Sequence, residues 1–275
     1  MINGYVTRAE FLNWVTPKDT TADATDDAVI DGIIQAASRY IDGACGRVFY
    51  PMVKNYYYDI PEGREILSEG DLLAVISLTN GDDTAIASTE YNLTPKNYSP
   101  HTGLKLKGSS STYWTLDSSG DTDYVIDLLG IWGYHDQYDQ RAWSPVGTLG
   151  AEIADTTTLA FTMTAGHSAL KDNILMIENE LLIVDTVVTN TVTPLARGDN
   201  GSTAATHANG TTVYAWQPMQ EIAQATKLIS QSLYRRFGHP NQGDESIITA
   251  SGVIVTPKDV PGVAARTIAT YRNKR

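Results

Sequence analysis

The chain has 275 residues, 42% of them hydrophobic, enough for one large or two modest domains with real cores, so disorder or fibrous repeats are not its main state. Its 20 Lys+Arg against 32 Asp+Glu give a net charge of -12, so the average surface repels DNA and anionic lipid, and a protein that grips a duplex is disfavoured. Cys45 is the only cysteine, which excludes an intrachain disulfide framework and any multi-cysteine zinc or iron-sulfur site.

Thr7 followed by Glu10 spells a capping box and predicts a short helix, with Phe11, Trp14 and Val15 at helical spacing and Pro17 closing it. Asp23, Asp26 and Asp27 suit the positive start of a second helix. Along it Ile30, Ile33, Ile34, Ala37, Tyr40, Ile41 and Ala44 recur in steps of three and four and define a core stripe, with Gly43 and Gly46 as the stop. From Tyr50 to about Tyr134 the period changes to short β-type runs, VKNYYYDI, REIL, LLAVISLT, TEYNLT, GLKLK, TYWTL and DYVIDLLGIWGY, which predict a mainly antiparallel sheet. Residues 135–150 lack periodicity and read as a connecting loop. A second β segment, about 151–217, alternates at Leu159, Phe161 and Met163 and continues through NILMI, ELLIVDTVV, TVTPL and TTVYAW, a hairpin lobe inserted between helical elements. Pro218 opens a new helix whose buried stripe is Ile222, Ala225, Ile229, Leu233 and Phe237. Residues 239–252 read as polar and mobile, followed by a strand, GVIVT, and a final helix from Val260 to Tyr271. The expected fold is α+β, with boundaries at 1–50, 51–150, 151–217, 218–238 and 239–275.

The charge divides unevenly. Residues 218–275 hold 8 Lys+Arg and 4 Asp+Glu, net +4, leaving 12 against 28, net -16, in residues 1–217. The basic end reads either as a solvated helix terminus or as a tail that docks on an acidic surface.

No Walker loop, dinucleotide fingerprint, nucleophile elbow or paired-histidine zinc motif occurs, and the expectation is a protein that is not an enzyme and takes no cofactor. His135, Asp136 and Asp139 offer an imidazole and carboxylates to a metal-dependent hydrolase, but in a loop with no second histidine cluster they read as locally bonded polar residues. Asp117, Asp121 and Asp123 lack the glycine and distal glutamate of an EF-hand loop and read as a solvated turn. Arg197-Gly198-Asp199 spells an adhesion tripeptide inside a Gly/Asn-rich stretch. Tyr56, Tyr57, Tyr58, Trp132, Tyr134 and Trp143 serve either a core or a sugar-binding platform. The sequons at Asn92, Asn97, Asn200 and Asn209 are expected to be inert, because the N-terminus lacks a secretory pattern and no stretch of about 18 apolar residues occurs, which reads as a soluble cytoplasmic product without a membrane partner. Cys45, on an apolar helical face, reads as a small buried filler.

The order of segments carries a resemblance. YVTRAEFLNWV and DDAVIDGIIQAASRYIDGACGRVFYP, followed by DYVIDLLGIWGYHDQYDQRAW, IAQATKLISQSLYRRF and GVIVTPKDVPGVAARTIATYR, resemble head-tail connector (adaptor) proteins of tailed bacteriophages, and AASRYIDGACGRVFYP is the most telling stretch. The lobe also looks like a module of phage structural proteins in which a hairpin precedes RG-x-NG-x-TAA-x-H, with Asp199 in the variable place. The resemblance implies a ring, usually of twelve copies, in the virion neck below the portal, assembled in the host cytoplasm. Such a ring joins the portal to a downstream neck or tail protein and leaves a lumen for double-stranded DNA. It further implies that Arg266, Tyr271, Arg272, Lys274 and Arg275 dock on the portal, while the periodicity already makes Ile30, Ile33, Ile34, Ala37, Ile41, Ile229 and Leu233 the helical core. On this view the C-terminal end is an arm with little core, and deletion of 260–275 leaves the fold intact. The long lobe departs from compact connectors. A carbohydrate-binding or adhesion module is the alternative.

Overall fold

A computed structural model describes residues 2–15, 24–238, 247–248, 254–255 and 260–273. They form an α+β fold of two compact units, one built from both ends of the sequence, Met1–Arg47 with Pro218–Arg275, and the other from Val48–Gln217.

The first unit is helical. Helix α1, Arg8–Val15, starts at the expected capping box, where Glu10 N–H donates to Thr7 Oγ1 at 3.2 Å and Thr7 N–H to Glu10 Oε2 at 2.8 Å. Helix α2, Ala24–Cys45, ends at Gly46, whose φ of +65° lets its N–H and that of Arg47 fold back to the Asp42 carbonyl. Helix α4, Gln220–Gly238, and helix α5, Gly262–Tyr271, both pack on α2. Arg8 ties α1 to α2 through Asp27 at 3.0 Å and Asp31 at 3.4 Å. The segment before α1 lies on α2 as well: Tyr5 N–H donates to Ser38 Oγ, the Tyr5 hydroxyl to Asp42, and Arg39 to the Asn3 carbonyl.

The core stripe of α2 is narrower than its sequence pattern. Ile30, Ile34, Ala37, Ile41 and Cys45 are buried, but Ile33 and Ala44 are half-buried and Tyr40 is exposed. At 100° per residue those three positions flank the stripe and turn away from it. On α4, Ile222, Ala225 and Ile229 are buried and Leu233 is half-buried, while the Phe237 side chain is outside the described residues. Val6, Phe11, Ile30 and Ile34 make one cluster with Leu12, Val15, Ala223 and Tyr234, where Phe11 and Tyr234 meet edge-on at 6.0 Å.

The C-terminal end is not an undocked arm. Helix α5 buries Ala264 and Ile268 against α2 and α4, and Asn273 N–H donates to the Cys45 carbonyl at 2.7 Å. Burial of those two side chains contributes roughly 2–4 kcal/mol. Strands β12, Ile247–Ile248, and β13, Ile254–Val255, pair antiparallel, so part of the stretch read as mobile is a hairpin strand. Residues 16–23, 239–246, 249–253, 256–259 and 274–275, and with them Pro17, Asp23 and most of that stretch, lie outside the described residues.

The second unit holds two antiparallel sheets. Strands β1, Met52–Tyr58; β2, Glu65–Thr79; β3, Tyr91–Thr94; β4, His101–Leu106; and β5, Ile126–Trp132, form the first in the order β1-β5-β2-β4-β3. REIL and LLAVISLT fuse into the single long β2, which pairs with β4 through its first half and with β5 through its second. TYWTL joins no strand ladder: Asn80 clamps it instead, donating to the Tyr113 carbonyl at 2.8 Å and accepting from Thr115 N–H at 3.0 Å. After one helical turn, α3, Tyr138–Arg141, the second sheet begins inside the presumed loop with β6, Trp143–Thr148. Its other strands are β7, Phe161–Thr162; β8, Ile174–Ile177; β9, Glu180–Val188; β10, Thr191–Pro194; and β11, Thr212–Trp216, in the order β6-β11-β8-β9-β10-β7. Strand β6 escapes detection because Pro145 and Gly147 break its alternation and its partner β11 is distant in sequence.

Each sheet has its own apolar cluster on one face, around Leu72, Leu104 and Leu128 in the first and around Leu175, Leu182 and Val213 in the second. A third cluster joins them: Val53, Leu73 and Ile131 pack with Ile174, Leu181, Ile183 and Trp216.

Two outcomes test the helical unit. Ile34→Asp is expected to unfold it, since a carboxylate at a fully buried position has no partner, whereas Ile33→Asp at the half-buried flank leaves a cooperative transition, measured by far-UV circular dichroism on heating. Removal of residues 260–275 is expected to lower the stability of this unit by roughly 2–4 kcal/mol in urea titration, by loss of the Ala264 and Ile268 burial.

Candidate functional site

The most concentrated polar constellation surrounds Glu180, at the start of β9. Its carboxylate is wholly buried and accepts five hydrogen bonds. Arg197 grips it with Nε at 2.7 Å and Nη2 at 2.9 Å, Gly198 N–H and Ala205 N–H donate at 3.0 Å each, and His207 Nε2 lies at 2.8 Å. The other ring nitrogen of His207 reaches Glu178, at the tip of the β8–β9 hairpin, at 2.8 Å. Nη1 of Arg197 goes on to the Asp155 and Thr158 carbonyls, both at 3.1 Å. Burial alone would raise the Glu180 carboxyl above its ordinary 4.5, but the Arg197 guanidinium, the His207 ring and the Ala205 N–H outweigh it and hold the group at about 2. Hydrogen bonding to Glu180 raises Arg197 in turn.

The stretch RGDNGSTAATH is therefore a loop wrapped around one carboxylate. Gly201 has φ +81°, and a Cβ there would lie 2.3 Å from the Val53 carbonyl oxygen, so the loop approaches β1 only with glycine in place. Asn200, also at positive φ, donates to the Pro51 carbonyl at 3.0 Å, and Ser202 Oγ accepts from Leu181 N–H at 2.8 Å. Asp199 accepts from Ile183 N–H at 2.7 Å, while burial raises its carboxyl.

Arg197-Gly198-Asp199 thus lies in a Gly/Asn-rich loop between strands, with the Arg197 side chain 4% exposed and both charged groups bonded inside the unit. The five partners occupy the acceptor positions of the Glu180 carboxylate, so the cluster holds the loop in place. The sequence signal for it is the spelling of the loop; its anchor, the second carboxylate of Glu178-Asn179-Glu180, 17 residues before Arg197, carries no local mark that sets it apart from the first.

The other candidates are dispersed. His135 is buried edge-on to Trp216, and its Nδ1 accepts from Gln137 N–H at 3.0 Å, while Asp136 and Asp139 face solvent. Asp117 accepts from Ser119 and Asp121 N–H within its own turn, and Asp121 from Thr122 and Asp123 N–H. Among the described residues no group of three or more His, Cys, Asp or Glu is placed to hold a metal ion. Trp132 is buried against Tyr56, and Tyr56 and Tyr58 stack on the same side of β1, so these rings fill the first sheet's core. Tyr57 points the other way and is exposed; Tyr134 meets Phe49 edge-on and Trp143 meets Trp216, so the six aromatics do not form one platform. Cys45 is buried, and burial pushes its thiol up to about 11. Of the C-terminal residues expected to dock, Arg266 and Arg272 are exposed, Tyr271 is half-buried, and Lys274 and Arg275 lie outside the described residues.

Counted by unit, the charge divides more sharply than at Pro218: the helical unit carries 12 Lys+Arg and 11 Asp+Glu, net +1, and the β unit 8 and 21, net -13. No helix among the described residues is long and apolar enough to cross a membrane. No protein-family model matches the chain, and no curated protein matches it.

Glu180→Gln is expected to destabilise the β unit by about 3–5 kcal/mol, because Arg197 would be left buried beside a neutral amide. The native carboxyl lies below its unfolded value near 4.5, so its contribution is complete above that pH and is lost as pH falls toward 2. Calorimetric melting temperatures of the native chain should fall across that window, and those of the variant should fall less.

Proposed function

We propose that this chain is a structural subunit of a phage neck, a head-tail connector that forms a ring below the portal, twelve copies in similar proteins, joins the capsid to the next neck or tail component, and leaves a channel for DNA. The observation that carries this reading is the assembly of the helical unit. The segments that bear the resemblance, YVTRAEFLNWV, AASRYIDGAC, IAQATKLISQSLYRR and GVAARTIATYR, come from opposite ends of the sequence, yet they are α1, α2, α4 and α5 and they pack together. The β unit is then the elaboration that enlarges the connector. Its net charge of -13 suits a wall past which DNA slides, because a basic wall would pin phosphate through counterion release. The portal-facing surface is the basic end of the helical unit, with Arg266 and Arg272 steering it onto an acidic patch. The carbohydrate-binding or adhesion alternative has less support, since its tripeptide is internal and its aromatics are divided between cores.

Cryo-electron microscopy of neck particles tests the reading: a ring of this chain between portal and tail is expected, and its absence there overturns it. The double substitution Arg266→Glu, Arg272→Glu is expected to abolish attachment to portal particles in co-sedimentation while leaving the melting temperature within a degree or two, since both side chains are exposed.

A further inference from the structure

We infer that Asn209-Gly210 is a site of spontaneous covalent change, at which the Asn209 amide is converted through a succinimide to isoaspartate, and that of the chain's four Asn-Gly pairs it is the one the fold leaves open to this chemistry.

Where glycine follows asparagine, the next backbone nitrogen can reach the side-chain carbonyl carbon, because no Cβ stands in the way. The sequence spells this pair at Asn3-Gly4, Asn80-Gly81, Asn200-Gly201 and Asn209-Gly210. Ring closure requires the side chain and the following peptide to swing toward each other, so whatever holds either one slows it. Asn80 is 3% exposed, its amide donates to the Tyr113 carbonyl and accepts from Thr115 N–H, and a Cβ on Gly81 would lie 2.1 Å from the Thr115 carbonyl oxygen. Asn200 donates to the Pro51 carbonyl, and Gly201 is pressed against that of Val53. Asn3 is buried, and its carbonyl accepts from Arg39 Nη2 at 2.8 Å.

Among the described residues nothing restrains Asn209 in this way. Ala208, Asn209 and Gly210 are exposed, and a Cβ built on Gly210, φ +83°, meets nothing within 4 Å. The two residues are the centre of a turn closed by Thr211 N–H donating to the Ala208 carbonyl at 3.2 Å, while Gly210 N–H donates to the Leu149 carbonyl at 2.9 Å. Both bonds precede β11, which begins at Thr212, so they open by fraying of one turn with the strand ladder intact. In the opened turn the Gly210 nitrogen attacks Asn209 Cγ, the Cγ–Nδ2 bond breaks, and ammonia leaves with the proton that Gly210 gives up. Water then opens the ring. Cleavage between the nitrogen and Cγ gives aspartate; cleavage between the nitrogen and the main-chain carbonyl carbon gives isoaspartate, whose chain runs through Cβ and Cγ. Either product carries a new carboxylate, and isoaspartate also lengthens the main chain by one carbon between His207 and β11. Leu149, which holds the Gly210 N–H, is bridged to Met163 and so ties the end of β6 to the end of β7, and the change falls where the two outer strands of the second sheet meet.

Ageing of the full chain in mildly alkaline buffer, native and in urea, tests this. Each pair is followed by peptide mapping with mass spectrometry, and isoaspartate is told from aspartate by labelling with an isoaspartyl methyltransferase. The ratio of the rate in urea to the native rate measures how far the fold protects each asparagine. Protection of at most about 10-fold at Asn209 and of at least about 100-fold at Asn3, Asn80 and Asn200 is expected, with isoaspartate among the products. Protection at Asn209 equal to or above that at any of the other three overturns the inference, as does a product that is aspartate alone, the mark of direct hydrolysis. Asn209→Gln, whose longer side chain closes such a ring far less readily, should end the conversion in that peptide with the chain still folded; continued conversion there also counts against it.

Discussion

The β unit is organised by one buried charge. An isolated carboxylate in an apolar interior is untenable, and that of Glu180 persists because a bidentate guanidinium, an imidazole and two backbone amides converge on it. Those groups come from a loop whose regular bonding is one 3-10 turn, Asp199–Gly201, and a bridge from His207 to Ile153, so the carboxylate gives the chain from Arg197 to His207 much of its path. Through Arg197 it reaches the Asp155–Thr158 turn, through Ser202 and Asp199 the backbone of β9, and through Asn200 and Gly201 the start of β1. Replacement of such a pair by apolar side chains is often neutral in stability. Its value here is the single arrangement it imposes on a Gly- and Ala-rich loop that has little apolar surface of its own.

Local patterns were legible where local physics decides. The capping box at Thr7 and Glu10 and the α2 stripe were readable because three- and four-residue steps place their partners on one helix face. The stripe's width was not, since periodicity alone does not say where neighbouring helices stop, and Tyr40 lies just past that edge. Strands were readable as runs and failed where pairing is non-local: β6 is specified by its register with β11, and TYWTL is denied a ladder by the amide of Asn80 more than 30 residues away.

The site shows the same division. Arg197-Gly198-Asp199 is the same triplet whether it is presented to a receptor or folded over a carboxylate, and Glu180 decides which. The aromatic run Tyr56-Tyr57-Tyr58 likewise splits by strand alternation into two core rings and one exposed ring. The terminal helix was located within two residues, but its docking was missed because two small contacts, Ala264 and Ile268, leave a faint pattern in a segment that is mostly Ala, Thr and Arg.

The helical unit draws α1 and α2 from one end of the sequence and α4 and α5 from the other, with 170 residues of β structure between them. This split has a consequence for synthesis. The β unit, contiguous in sequence, is fully synthesised before α4 is begun, whereas α2 waits with one flank bare for helices still to be translated. A chain halted before Ala264 would present a finished β unit on an unfinished bundle. The face of α2 and α4 that Ala264 and Ile268 cover is thus completed only when the message has been read almost through.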